Sequence, residues 1–101
     1  MNGFQVVQHL PGPAWVTGLS LRDQEGVCAH IGTMQVWLEA RRLVMGGPFL
    51  DDEGGGMAIL RFAGVEQAEA SARADPAVRA GLLTPRVRPW MPGMSAVPLD
   101  L

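Results

Sequence analysis

The chain has 101 residues but few side chains suited to proton chemistry: two histidines, His9 and His30, ten carboxylates, and one cysteine, Cys28. Histidine exchanges protons near neutrality, because its ordinary pKa is about 6.5. A carboxylate beside it can orient the ring and stabilise its charged form. The aspartates that could serve are Asp75, which stands before Pro76, and Asp51 and Asp52, which open an acidic, glycine-rich turn. All eight basic residues are arginine, which excludes Schiff-base catalysis and a P-loop lysine. The lone Cys28 excludes an intrachain disulfide and a thiolate-rich zinc or iron–sulfur centre. It lies two residues from His30, so on a helix it points to another face and forms no nucleophilic pair. Gly54-Gly55-Gly56 lacks the pattern of a phosphate cradle, and Asp51-Asp52-Glu53 lacks the alternating ligands of a calcium loop. His9 and His30 with scattered carboxylates have no metal-specific spacing. No metal and no cofactor is therefore expected.

The elements that must position these residues follow from patterning. Phe4 to Gln8 is aromatic and β-branched, and Pro11-Gly12-Pro13 closes it, which predicts a strand over residues 3–9. A loop over 10–20 carries Trp15. Val27, Ile31, Met34, Trp37 and Leu38 recur at spacings of three and four, which predicts a helix within 21–43. Arg41 and Arg42 fall in its last turn, where positive charge suits the helix dipole. At about 100° per residue, His30 lies roughly 70° from the centre of the apolar stripe, at the margin of the buried face. Residues 43–49 read as a strand whose Pro48 marks an edge or bulge. The segment 51–56 reads as a turn and 57–62 as the returning strand. A second helix over 65–74 ends at Asp75-Pro76. A turn-like piece leads to a last strand over 83–90, and the tail, 92–101, is too rich in proline and glycine for a core element.

The order is β-α-β-β-α-β, a ferredoxin-like α+β arrangement: a four-stranded antiparallel sheet with both helices on one face. The end of the first strand, the start of the first helix, the hairpin turn and the end of the second helix share one end of such a domain. That end gathers His9, His30, Asp51, Asp52 and Asp75, which are both histidines and three of the five aspartates. His9 either lines a cleft there or simply closes its strand. Trp15 and Phe49 offer apolar walls for a planar ligand, or ordinary packing. Trp37 belongs to the core by its spacing, and Trp90 to a seam.

Apolar residues make up 48%, charged residues 18%, and the formal charge is −2. One compact domain can fold on that composition, but the sheet's other face is left bare, and a second copy is the economical cover. The acidic balance argues against sequence-independent nucleic-acid binding. No apolar run approaches the ~20 residues that span a bilayer, and the first residues lack a basic n-region. A cytoplasmic protein without membrane attachment is the expectation, in keeping with one free cysteine.

His30 early in a helix, then Leu43-Val44-Met45-Gly46-Gly47-Pro48-Phe49-Leu50-Asp51-Asp52, Gly54-Gly55-Gly56, Asp75-Pro76-Ala77-Val78 with Ala80-Gly81-Leu82, and Val87-Arg88-Pro89-Trp90 resemble the YCII-related (YciI-like) domain. The resemblance runs from about residue 3 to residue 91 and implies one domain over 1–91. It implies a dimeric α+β barrel, formed as a homodimer through the open sheet face, with a cleft built around a histidine and an aspartate. It also implies isomerase, lyase or dehydrochlorinase chemistry on small ring compounds. Two departures are Gly64, where a helix-capping Ser, Thr or Asp is common, and a long first loop carrying Pro11, Pro13 and Trp15.

The reading that follows is a cofactor-independent small-molecule enzyme in which His30 is general acid/base. Asp75, Asp51 or Asp52 orients it, and His9, Trp15 and Phe49 contact substrate. The step it implies is proton abstraction beside a carbonyl, ending in isomerisation or loss of chloride or water. The alternative is a non-catalytic module that binds a small ligand or a partner. A third reading is a structural dimer whose cleft Trp15 and Phe49 fill.

Overall fold

Burial alternates along the first strand: Gln5, Val7 and His9 are buried, while Val6 and Gln8 between them are half-exposed. Successive strand residues face opposite sides of a sheet, so one face takes the core and the other does not. A computed structural model describes residues 3–98 of the chain; residues 99–101, the end of the tail, lie outside the described residues. The elements are β1 (Phe4–Pro11), a 3₁₀ turn (Leu21–Asp23), α1 (Val27–Glu39), β2 (Leu43–Pro48), β3 (Gly56–Leu60), α2 (Val65–Arg73), α3 (Pro76–Arg79) and β4 (Leu83–Trp90). The strands pair antiparallel in the order β2-β3-β1-β4. This is the ferredoxin-like α+β arrangement expected from the element order.

Val7, Ala58 and Leu60 of the sheet pack with Trp37 of α1, Ala68 and Ala72 of α2, and Phe62. Both helices therefore lie on one face. The small residues of α2 let it sit close over β4 and β1. A second cluster of Ala77, Leu82 and Leu83 takes in Trp15, Leu21 and Val78. On the opposite face, Pro92, Met94 and Val97 of the tail lie against Phe4, Met45, Ile59 and Trp90 around a cavity of about 130 Å³. The chain thus covers part of its own open face, more than the sequence suggested.

Helix α1 differs from its expectation in three respects. It starts at Val27 because Gly26, at φ 89°, turns the chain in the left-handed region, and the preceding residues form only the 3₁₀ turn. Its buried residues are Val27, His30 and Trp37, whereas Ile31 and Leu38 are more than half exposed. The buried face is thereby rotated roughly 50° toward Trp37, which carries His30 inside it. The helix ends at Glu39, before Arg41 and Arg42. Arg41 N–H donates to Leu38 O (3.1 Å) and Arg42 N–H to Trp37 O (2.7 Å), a Schellman closure. That closure puts Arg41 at φ 60°, the one positive-φ residue other than glycine among the described residues. Arg41→Gly should therefore raise stability by about 0.5–1 kcal/mol in urea unfolding. A loss of stability would show that the arginine side chain matters more than its backbone strain.

Candidate active site

Asp75 is fully buried and caps α3: its Oδ1 accepts from Ala77 N–H at 2.9 Å. Its other oxygen, Oδ2, lies 2.6 Å from Nδ1 of His30, which is 6% exposed. A local turn device thus doubles as an anchor for a side chain 45 residues away. The pairing takes Nδ1 of His30 and leaves Nε2 as the ring nitrogen that can act on a ligand. A carboxylate in that position fixes the tautomer and aims the ring, as general acid–base work requires.

His9 stands against this pair. Its ring centroid is 4.7 Å from that of His30, edge to face at 73°. It is 1% exposed, and its Nε2 has no hydrogen-bond partner among the described residues. Burial chiefly, and then the neighbouring His30, lower its pKa from 6.5 to about 4, with Asp75 opposing them. His9 is therefore uncharged at neutral pH. The unfolded chain takes up this proton near pH 6.5, while the fold refuses it until about pH 4. The stability that His9 contributes is complete above about pH 6.5 and is lost as pH falls toward 4. Urea midpoints taken at about pH 7.5, 6 and 5 should fall in that order, and His9→Gln should flatten the slope. An unchanged slope in the variant would assign the loss to other groups.

Ligand atoms of His9, His30 and Asp75 all lie within 4.8 Å of one another. They are the residues that could hold a metal ion, although the His30–Asp75 contact already engages one atom of each. The cluster opens on a cavity of about 190 Å³ lined by His9, Leu21, His30, Ile31, Met34 and Leu43, with further wall from residues of β2 and β3. Glycine keeps this end tight. Gly55, at φ 74°, lies so close to β1 that a Cβ would stand 2.2 Å from the His9 carbonyl oxygen.

The fold brings together His9, His30 and Asp75 and leaves the other candidates apart. Asp51 and Asp52 are exposed in the hairpin turn, and Asp51 Oδ1 accepts from Glu53 N–H at 3.1 Å. Trp15 packs in the second cluster and against Gly54, where a Cβ would stand 2.5 Å from its ring. Phe49 is about two-fifths exposed, and neither aromatic borders the cavity. Of the wall residues, Met34 had a legible signal, since it follows His30 by four residues on one helix face. Leu21 had none, because its place depends on how the long first loop folds back.

An antiparallel sheet with both helices on one face, holding a buried histidine–aspartate pair at the edge of a small cavity, defines a ferredoxin-like α+β domain with a candidate acid–base site. The chain belongs to the YCII family, whose model, the YCII-related domain, matches residues 13–91. The match begins after β1, so His9 lies outside it. Among solved structures the chain is similar to a 5-chloro-2-hydroxyhydroquinone dehydrochlorinase from Burkholderia phenoliruptrix in complex with 2,5-dihydroxybenzoquinone. The two are 20% identical with a TM-score of 0.69, over 89% of this chain and 95% of that one. At that identity the likeness shows the shared fold. No curated protein matches the chain. Among the described residues no helix is long and apolar enough to cross a membrane.

Proposed function

We propose that the protein is a cytoplasmic, cofactor-independent enzyme that moves a proton on a small molecule, with His30 as general acid/base and Asp75 as its orienting carboxylate. The observation that carries this reading is the 2.6 Å contact between His30 Nδ1 and Asp75 Oδ2, buried at the wall of a cavity. His30 withdraws a proton beside a carbonyl or enol through Nε2. The developing negative charge then ends in a shifted double bond as His30 returns the proton to another carbon, or expels chloride, or expels a hydroxyl group that the His30 proton converts to water. His9, neutral and edge-on to the His30 ring, is the second imidazole of the site, and its buried Nε2 has no hydrogen-bond partner among the described residues. The exposed Asp51 and Asp52, and Trp15 and Phe49 away from the cavity wall, have no part in this step.

Small hydroxylated and halogenated ring compounds, including the substrate named for the structural neighbour, form the panel that tests it. Halide release and deuterium uptake from heavy water are the readouts. Turnover of a panel member, lost in His30→Gln, is the expected result. Turnover that survives both His30→Gln and Asp75→Asn overturns the assignment. Binding without turnover would favour the non-catalytic ligand-binding module.

We further propose a homodimer through the sheet face away from the helices. Exposed Leu10, Met45 and Trp90 and half-exposed Val6 and Ile59 leave apolar surface there that the tail covers only in part. Size-exclusion chromatography with light scattering should give twice the 10.8 kDa chain mass. A stable monomer at micromolar concentration would refute it.

A further inference from the structure

The cavity wall is built from regular elements except at one place. His9 comes from β1, His30, Ile31 and Met34 from α1, and the glycine and proline wall from β2 and β3, whereas Leu21 comes from the loop between β1 and α1. That loop is braced from within by a buried amide. Gln24, 3% exposed, accepts from Val16 N–H at 2.9 Å through Oε1. Its Nε2 donates to Val16 O at 2.8 Å and to Leu19 O at 3.0 Å. Its backbone N–H donates to Leu21 O at 3.2 Å, and its carbonyl accepts from Val27 N–H at 3.3 Å, at the first residue of α1. The 3₁₀ turn that carries Leu21 is thus tied forward to the helix holding His30 and backward to the loop. On its other side Leu21 packs in the cluster of Ala77, Leu82 and Leu83, beside α3, which Asp75 caps. A buried polar side chain with three such bonds fixes backbone position, because leaving any of them unmade is costly.

We infer that Leu21, held by the Gln24 brace, sets the size of ligand that the cavity takes and limits it to a single substituted ring. The inference rests on the reading of this cavity as the ligand site. A closed apolar cavity of about 150 Å³ accepts benzene; the 190 Å³ here, open to solvent on one side, has room for one ring with a few small substituents, and Leu21 stands on its wall. A second fused ring would need the space that Leu21 fills. Every other wall element is pinned by the sheet or by α1, so the loop is where the limit can be set without disturbing the histidines.

Two probes that share a diol edge and differ in size test this: catechol and 2,3-dihydroxynaphthalene. Binding is read from the imidazole Hε1 signals of His9 and His30. The parent protein should prefer catechol by about tenfold or more, the discrimination that one extra group earns in an apolar pocket. Leu21→Ala should bring the two affinities to within about threefold by admitting the larger probe, and Leu21→Phe should weaken catechol by about tenfold. Gln24→Leu, of similar volume but without the bonds, should weaken catechol while the protein stays folded by circular dichroism. Equal affinities in the parent, an unchanged ratio in Leu21→Ala, or no binding of either probe would overturn the inference. His30→Gln separates it from the proposed chemistry: that variant should keep the size preference while losing turnover. Equal probe affinities in the parent, with turnover still lost in His30→Gln, would refute the role of Leu21 and leave the proposed chemistry standing.

Discussion

The His30→Gln variant should lose about 10²–10⁴-fold in turnover while unfolding within about 1 kcal/mol of the parent. A glutamine amide can still donate to Asp75 Oδ2, so the buried carboxylate keeps a partner and the face shared with Val27 and Trp37 stays filled. What it cannot do is accept and release a proton near neutrality. The loss should therefore fall on kcat, with KM moving less, because an acid–base group acts in the transition state more than in binding. His9 is no substitute. Its pKa of about 4 makes it a poor base at neutral pH, and in the variant it still lacks an orienting carboxylate. Steady-state kinetics beside urea unfolding separate the two effects. A variant that keeps more than about a tenth of parental turnover would leave His30 as a structural residue.

Helix α1 shows where pattern sufficed and where it failed. Apolar spacing placed the helix, and Gly-Gly-Pro and Gly-Gly-Gly placed the hairpin, because turn glycines and periodicity are local signals. The order of elements then implied a four-stranded antiparallel sheet with both helices on one face. Which side of α1 is buried was a different question. Ile31 and Leu38 continue the stripe, but the sheet ends at the edge strand β2. The helix turns instead toward Phe62 and α2, and His30 and Trp37 go inside. A histidine scores as polar in any periodicity count, yet here it is buried because a carboxylate 45 residues away meets it. Local pattern has no access to such a long-range contact.

The site was legible to the same depth. Topology alone drew His9, His30 and Asp75 to one end of the domain, and the fold brings those three into contact. The same argument drew in Asp51 and Asp52, but a topological end is about as wide as the sheet. The hairpin turn carries its aspartates outward into solvent, while Gly55 seats its backbone on β1 beside His9. Asp75 differs because it caps a helix. A cap fixes both carboxylate oxygens, one on Ala77 N–H and the other free to meet His30. The Asp-Pro signal that read as a helix stop was at the same time the geometric reason this carboxylate could be aimed.

That double duty makes Asp75 the most consequential residue to change, and two substitutions should split its roles. Asp75→Ala removes the cap, worth about 1 kcal/mol, and leaves the buried Nδ1 of His30 unpaired at about 1–3 kcal/mol. The variant should lose about 2–4 kcal/mol of stability, a large share of what a domain of this size has. Asp75→Asn keeps an oxygen for Ala77 N–H and the side-chain volume, so it should unfold nearer the parent. Its amide group, however, turns N–H toward His30 Nδ1, which must then accept, and the proton moves to Nε2. That is the wrong tautomer for a base acting through Nε2, and turnover should fall by as much as about 10⁴-fold. Thermal or urea unfolding with single-substrate kinetics on both variants reads the pattern. If Asp75→Asn retained turnover, the carboxylate would be a helix cap alone, and the 2.6 Å contact would hold the fold rather than the proton.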